Sequence, residues 1–313
     1  MERRNFLKTA IFGSLAAGFS LKNSLLSAQV KTSTAGDEYD LVAVMGGEPD
    51  VMYAKAIETL GGIKKFVKPG QKVVVKPNIG WNKTIELAGN TNPILVGAII
   101  KDCLKAGAKE VTVFDHTCNE WKDCYKNSGI EAAVKAAGGK IAYAHEERYY
   151  REVKIQGAKR LTKTKVHEAI LDCDVWINVP VLKHHGGAKI TIALKNYMGI
   201  VWDRRFFHAN DLQQCIADSA LLSKKPVLNI VDAYRIVTDN GPQNHTLADV
   251  QTPKALFMSA DIVAVDAAAL KFFNQFINKP LAEVGHIKLA NEMKIGTSDI
   301  DKLRVKRIMI NEQ

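Results

Sequence analysis

The sequence predicts an α/β fold: a mostly parallel sheet with helices on both faces, in a single compact domain with a peripheral hairpin. Three observations carry this reading. Short apolar runs rich in Val and Ile alternate with segments of helical periodicity. Those runs are continuously apolar rather than alternating, as strands covered on both faces are. No internal repeat, low-complexity tract or linker composition divides the chain.

Taken in order, residues 41–45 read as a first strand that ends at Gly46-Gly47-Glu48-Pro49, and residues 50–60 carry helical spacing. Val73-Val74-Val75 is a second strand, between the turn Lys68-Pro69-Gly70 and the segment Lys76-Pro77-Asn78. Pro93 starts a helix, where its missing N–H does no harm, and Gly107 stops it. Residues 111–114 are a third strand, 130–137 a short helix closed by Gly138-Gly139, and 141–144 a fourth strand. The charged, β-prone segment 148–166 is the peripheral hairpin. A short helix at 167–171 leads into a strand at 175–179, which Pro180 stops because it has no N–H for a ladder. Residues 211–222 are helical, 227–231 and 255–258 are strands, 262–276 and 280–293 are helices, and 303–310 is an edge strand.

Residues 1–35 read as a twin-arginine export signal, and residues 36–313 as the α/β domain. The signal consists of Arg3-Arg4-Asn5-Phe6-Leu7-Lys8, a mostly apolar run from Thr9 to Leu21, and Lys22. The run is too short for a membrane span, which needs about 20 apolar residues. The expectation is an exported, periplasmic protein with no permanent membrane span and the twin-arginine translocon as a partner. Ala28 and Ala35 both suit the position before cleavage. The formal charge of +10 becomes +6 without that segment, with 38 basic residues against 32 acidic ones. This suits a small anionic ligand or an anionic surface. Nucleic acid is not expected, since no Arg-rich stripe or aromatic-interleaved basic patch occurs. Of five cysteines, Cys118 and Cys124 are near enough in sequence to bridge in an oxidising compartment, and the others sit in apolar contexts. Neither an iron–sulfur run nor a zinc-ribbon pair is present.

In open α/β sheets ligands bind beyond the carboxyl ends of the strands. There the sequence places Lys76 and Asn78, then Asp115-His116 with Cys118, then Lys183-His184-His185 ahead of Gly186-Gly187, then Asp232. Lys76, Asn78 and Lys183 are expected to bind an anionic substrate. His184, His185 and His208 are expected metal ligands, a divalent metal being the cofactor considered. His185, Lys195 and Asp232 are the expected catalytic groups: acid or base, charge stabiliser and carboxylate partner. The paired imidazoles and double glycine equally suit bare backbone N–H groups on an anion, or an exposed turn. Lys195-Asn196 ahead of Gly199 also reads as the last turn of a helix. Asp261 reads as a helix cap, and Asp266, inside that helix, needs partners if buried.

Several ordered motifs resemble the "domain of unknown function 362" family over about residues 70–275. They are Lys76-Pro77-Asn78, Thr91-Asn92-Pro93, and Asp174 with Ile177-Asn178, Pro180, Lys183 and His185. They continue through Thr191, Ala193-Leu194-Lys195-Asn196, Gly199, His208, Val231-Asp232, Asn240-Gly241-Pro242, and Asp261 with Val263-Ala264-Val265-Asp266. Members are often exported or fused to ferredoxin-type iron–sulfur segments, so the resemblance implies a redox partner; this chain lacks the cluster cysteines. A looser similarity links His184 or His185, Lys189 or Lys195, and His208 to the lactate racemase family. That family's α/β domain sets histidines and a lysine around a nickel–pincer cofactor. Two functions follow: a cofactor- or metal-dependent enzyme of redox or proton-transfer type, or a non-catalytic accessory that binds a ligand, a metal or a redox partner. Hydrolysis is less favoured, because no Gly-x-Ser-x-Gly elbow or His-Glu-x-x-His helix occurs.

Overall fold

Val73 and Val75 turn their side chains into one core and Val74 into another; Val175, Ile177 and Val179 oppose Trp176 in the same way. Side chains alternate across a strand, so apolar residues at every position require cover on both faces. The computed structural model describes residues 38–277, 281–282 and 284–310, and supplies that cover. One core takes Met52 and Ala56 from the helix Pro49–Thr59, and Leu95, Val96 and Ile99 from the helix Pro93–Lys105. The other takes Ile216 from the helix Leu212–Ser219, Val263 and Phe273 from Ile262–Phe273, and Ile287 from Gly285–Glu292.

The strands are β1 (Leu41–Met45), β2 (Lys72–Pro77), β3 (Glu110–Val113), β4 (Lys140–Ile141), β5 (Tyr150–Lys154), β6 (Lys163–His167) and β7 (Val175–Val179). They continue with β8 (Val181–His185), β9 (Lys189–Thr191), β10 (Leu228–Val237), β11 (Val250–Gln251), β12 (Ala255–Ser259) and β13 (Val305–Met309). The main sheet runs β13-β1-β12-β10-β7-β2-β3-β4. From β10 to β4 every pairing is parallel, and β12 lies antiparallel between β10 and β1. β5 and β6 form the separate peripheral hairpin.

Several local expectations are corrected. The irregular segment after β3 contains a helix, Trp121–Asn127, and β4 is two residues long. The five cysteines are free thiols, with Cys124 buried and Cys118 exposed. Residues 183–185 are not loop: the chain breaks at Pro180 and resumes as β8, which turns back as β9. The leader expected at residues 1–35 lies outside the described residues, apart from which no described helix is long and apolar enough to cross a membrane.

β10 is the long strand that organises this region. Leu228 and Asn229 pair with β7, and Asp232 and Val237 then pair with Val181 and Lys183 of β8. The register slips between those two pairs, so β10 carries extra residues against β8. Asp232 therefore lies inside a strand, not after one. It is buried, accepts the Asn92 N–H at 2.7 Å and the Tyr234 N–H at 3.0 Å, and its pKa is pushed up to about 6 by that burial. Its expected part as catalytic partner gives way to tying β10 to the start of the Pro93–Lys105 helix. Asp232→Ala would strand two buried N–H donors and should destabilise the protein by about 3 kcal/mol in urea unfolding.

Candidate functional site

Lys76, Asn178, Asn229 and Ser259 occupy matching positions on four neighbouring strands, forming a buried polar row across an otherwise apolar sheet. Each member has a partner. Asn178 Nδ2 donates to Asn229 Oδ1 at 3.0 Å and to the Ala193 carbonyl at 3.1 Å. Asn196 Nδ2 donates to Asn178 Oδ1 at 2.8 Å, and Asn78 Nδ2 donates to Asn196 Oδ1 at 3.2 Å. Lys76 Nζ lies 2.8 Å from the Asn196 carbonyl, 2.8 Å from Asn196 Oδ1 and 2.8 Å from Asp115 Oδ1. An ammonium has three protons, and all three are engaged here. Burial draws the Lys76 pKa down and the Asp115 carboxylate draws it back. The structure thus places Lys76, expected to bind substrate, in the cavity lining with its ammonium held by Asp115 and Asn196.

Asp115 holds its place through its other oxygen, which accepts the Ile79 N–H at 2.6 Å. Gly199 covers the ion pair so closely that a Cβ there would overlap both Asp115 Oδ1 and Lys76 Nζ. Its carbonyl accepts the His116 N–H at 3.0 Å. Arg204 closes the loop after β3, donating to the His116 and Thr117 carbonyls, each at 2.7 Å, and to Cys118 Sγ at 3.2 Å. His116 stacks on Trp202 with ring centroids 5.0 Å apart, and burial pushes its pKa down to about 4.

Above this floor lies a cavity of about 380 Å³. It brings together Lys76, Asn78, Lys183, His185, Lys195 and His208 from distant parts of the chain. Arg204 and Arg205 join them, and Asp115 is the one carboxylate among the lining residues. Lys183 donates to Asn78 Oδ1 at 3.2 Å and to the Gly89 carbonyl, and burial pushes its pKa down to about 7. Lys195 lies within a short helical turn, Ala193–Asn196, whose leading N–H groups donate to Asp266 at 2.8 and 3.0 Å. Those are the partners Asp266 needs; burial pushes its pKa up to about 8. The Lys195 pKa falls to about 8, through burial first and then through neighbouring basic groups.

His185 is a neutral ring. Its Nδ1 accepts the N–H groups of Gly187 at 3.1 Å and Ala188 at 3.0 Å, which places its proton on Nε2. Burial and the nearby lysines push its pKa down to about 2. His184 points the other way, as the next residue on a strand must. Its Nδ1 accepts the Gly241 N–H at 3.1 Å, docking the hairpin on the 239–242 turn. The expected ligand trio of His184, His185 and His208 is therefore not assembled. Among the described residues no group of three or more His, Cys, Asp or Glu side chains is placed to hold a metal ion. The sequence reading assigned no role to Asn196, Gly199, Thr191 or Arg204. The Asn-rich segments around 78, 178 and 196 were the available signal for the amide chain.

A family model described as "Domain of unknown function (DUF362)" matches residues 73–271. A thylakoid-associated protein of Synechocystis sp. is 29% identical over 225 residues, a match that spans 67% of this chain and 65% of that protein, just under two thirds of its length. Among solved structures, the lactate racemase apoprotein of Thermoanaerobacterium thermosaccharolyticum aligns with a TM-score of 0.48 at 10% identity, covering 75% of this chain and 56% of that one. A structural-genomics protein of Thermotoga maritima aligns with a TM-score of 0.48 at 12% identity, covering 79% and 60%.

Gly199→Ala would force a methyl group between the Lys76 ammonium and the Asp115 carboxylate. The expected result is a melting midpoint lowered by about 5 °C or more in a circular-dichroism melt, with anion binding lost alongside.

Proposed function

The chain belongs to the family of the domain of unknown function 362, and from its site we propose that it binds a small anionic metabolite and moves a proton on it with Lys195. One observation carries the reading: a single cavity gathers Lys183, Lys195, Arg204 and Arg205 against one carboxylate, and that carboxylate is engaged by Lys76. A cavity so charged attracts an anion, and its low-dielectric walls strengthen the attraction. Lys195 makes no hydrogen bond to a described residue, and with its pKa at about 8 it can hold or release a proton near neutral pH. His185, with Nε2–H, donates a hydrogen bond without changing charge. Lys183 and Asn78 orient the ligand.

The same reading has the protein exported to the periplasm by residues 1–35, supported by the Arg3-Arg4-Asn5-Phe6-Leu7-Lys8 pattern. The redox partner implied by the family's iron–sulfur company would meet the protein there. A non-catalytic accessory would share the pocket and differ in moving no proton.

Acetic anhydride labelling across pH, read by peptide mass spectrometry, tests the reading. Lys195 should label with a midpoint of about 8, against about 10.4 for an ordinary lysine, and sulfate should protect it. An ordinary midpoint with no protection by sulfate or oxalate would refute it. For a protecting anion that carries an acidic C–H, such as malonate, deuterium uptake at that carbon in D2O above the uncatalysed rate separates enzyme from accessory.

Sulfate keeps its charge across this range, so a change in its affinity comes from groups of the protein, Lys183 and Lys195 first and Asp266 beneath the Lys195 turn acting in the same direction. Each lysine is a cation below its pKa, so binding should weaken as pH rises through about 7 and then about 8. Calorimetric titration at a series of pH values checks the sign.

A further inference from the structure

Thr191 is buried at 3% exposure, lines the cavity, and its hydroxyl has no hydrogen-bond partner among the described residues. A buried hydroxyl without a partner is costly, and most such groups in folded proteins are satisfied. Its neighbour across the β8–β9 hairpin is Lys183: the two residues are directly paired in register. Directly opposed residues carry their side chains on one face of the pair, with Cβ atoms about 5 Å apart. Lys183 spends two of its three protons on Asn78 and on the Gly89 carbonyl, which leaves one. His185 lies two residues along the same strand, on the same face, with Nε2–H as its remaining donor.

We infer that the β8–β9 hairpin is an oxyanion subsite in which the Thr191 hydroxyl, the third Lys183 proton and His185 Nε2–H receive one acidic group of the ligand. The inference deepens the anion-pocket reading and rests on it. The group bound is a carboxylate or a tetrahedral oxyanion such as a phosphoryl or sulfuryl group. Each offers at least two oxygens to donors held on one face. Lys195 lines the same cavity from the Ala193–Asn196 turn, outside the hairpin, and remains available to act on the rest of the ligand. Removing the Thr191 hydroxyl should therefore separate two properties that usually move together. Binding should fall, while the empty protein should be as stable as before or more so, because valine fills the same space with no unpartnered polar atom.

The experiment compares the full chain with Thr191→Val and Thr191→Ser, using sulfate and oxalate as probes in calorimetric titrations and thermal melts without ligand. The expected result is binding of at least one probe by the unaltered protein, about ten-fold weaker in Thr191→Val and largely kept in Thr191→Ser. The Thr191→Val melting midpoint should be unchanged or raised. Preference for oxalate assigns a carboxylate to the subsite, and preference for sulfate a tetrahedral oxyanion. Equal affinity in Thr191→Val overturns the subsite and leaves the anion pocket standing. A lowered midpoint in the empty Thr191→Val protein overturns it too, since the hydroxyl then has a structural partner. Failure of the unaltered protein to bind either probe removes the anion pocket and the subsite together.

Discussion

A lysine ammonium taken out of water must find an acceptor for each of three protons, and the cost of missing one is several kcal/mol. At Lys76 the three acceptors come from Asp115, after β3, and from the backbone and side chain of Asn196, 120 residues downstream. The geometry of the cavity floor follows from that demand. Asn196 can serve Lys76 only if the 193–196 turn is fixed, which Asp266 does from the opposite helix. The same amide is fixed from beneath by Asn178 and from the side by Asn78. Gly199 is the residue that lets the chain pass over the ion pair. The rigid part of the site is thus a charge-neutral assembly, and the net positive charge of the cavity belongs to the groups above it.

This division explains why the three lysines differ although all are buried or nearly so. Lys76 has a carboxylate beside it, which opposes the lowering of its pKa by burial. Lys183 has only neutral acceptors, so desolvation dominates and pushes its pKa down to about 7. Lys195 meets the open cavity. A bound anion would offset the repulsion among Lys183, Lys195 and Arg204, so occupancy and protonation are linked: each favours the other.

Much of the fold was legible because it depends on short-range pattern. Val73-Val74-Val75 and residues 175–179 are apolar at every position, and that alone requires two covered faces. Pro93 and Gly107 mark a helix by backbone chemistry. The convergence of Lys76, Lys183, His185 and Lys195 followed from the rule that strand carboxyl ends face one edge. What could not be read was register. His184 and His185 are equivalent in sequence, and only the start of β8 after Pro180 decides which imidazole enters the cavity. Asp232 looked like a residue after a strand because it is the first charged residue after the run 227–231; pairing to β8 carries the strand on to Val237. Asn196 and Thr191 carry no signal individually, since Asn196 acts through Lys76, Asn78 and Asn178, brought to it by the ends of β2 and β7, and Thr191 through its register across a hairpin.

The slipped register between β10 and β8 has a consequence for how this architecture can vary. Between the two points where the strands meet, β10 spends five steps and β8 only two, from Asp232 to Val237 against Val181 to Lys183. The surplus length is taken up on β10, next to the β8–β9 hairpin that carries Lys183, His185 and Thr191 of the cavity lining. Shortening β10 there would let the hairpin zip flush against its neighbour, and the hollow beneath it would close without any lining residue having changed. The capacity to hold a guest therefore resides in a mismatch of strand lengths, and chains of this architecture that differ in those few residues should differ first in the size of what they admit.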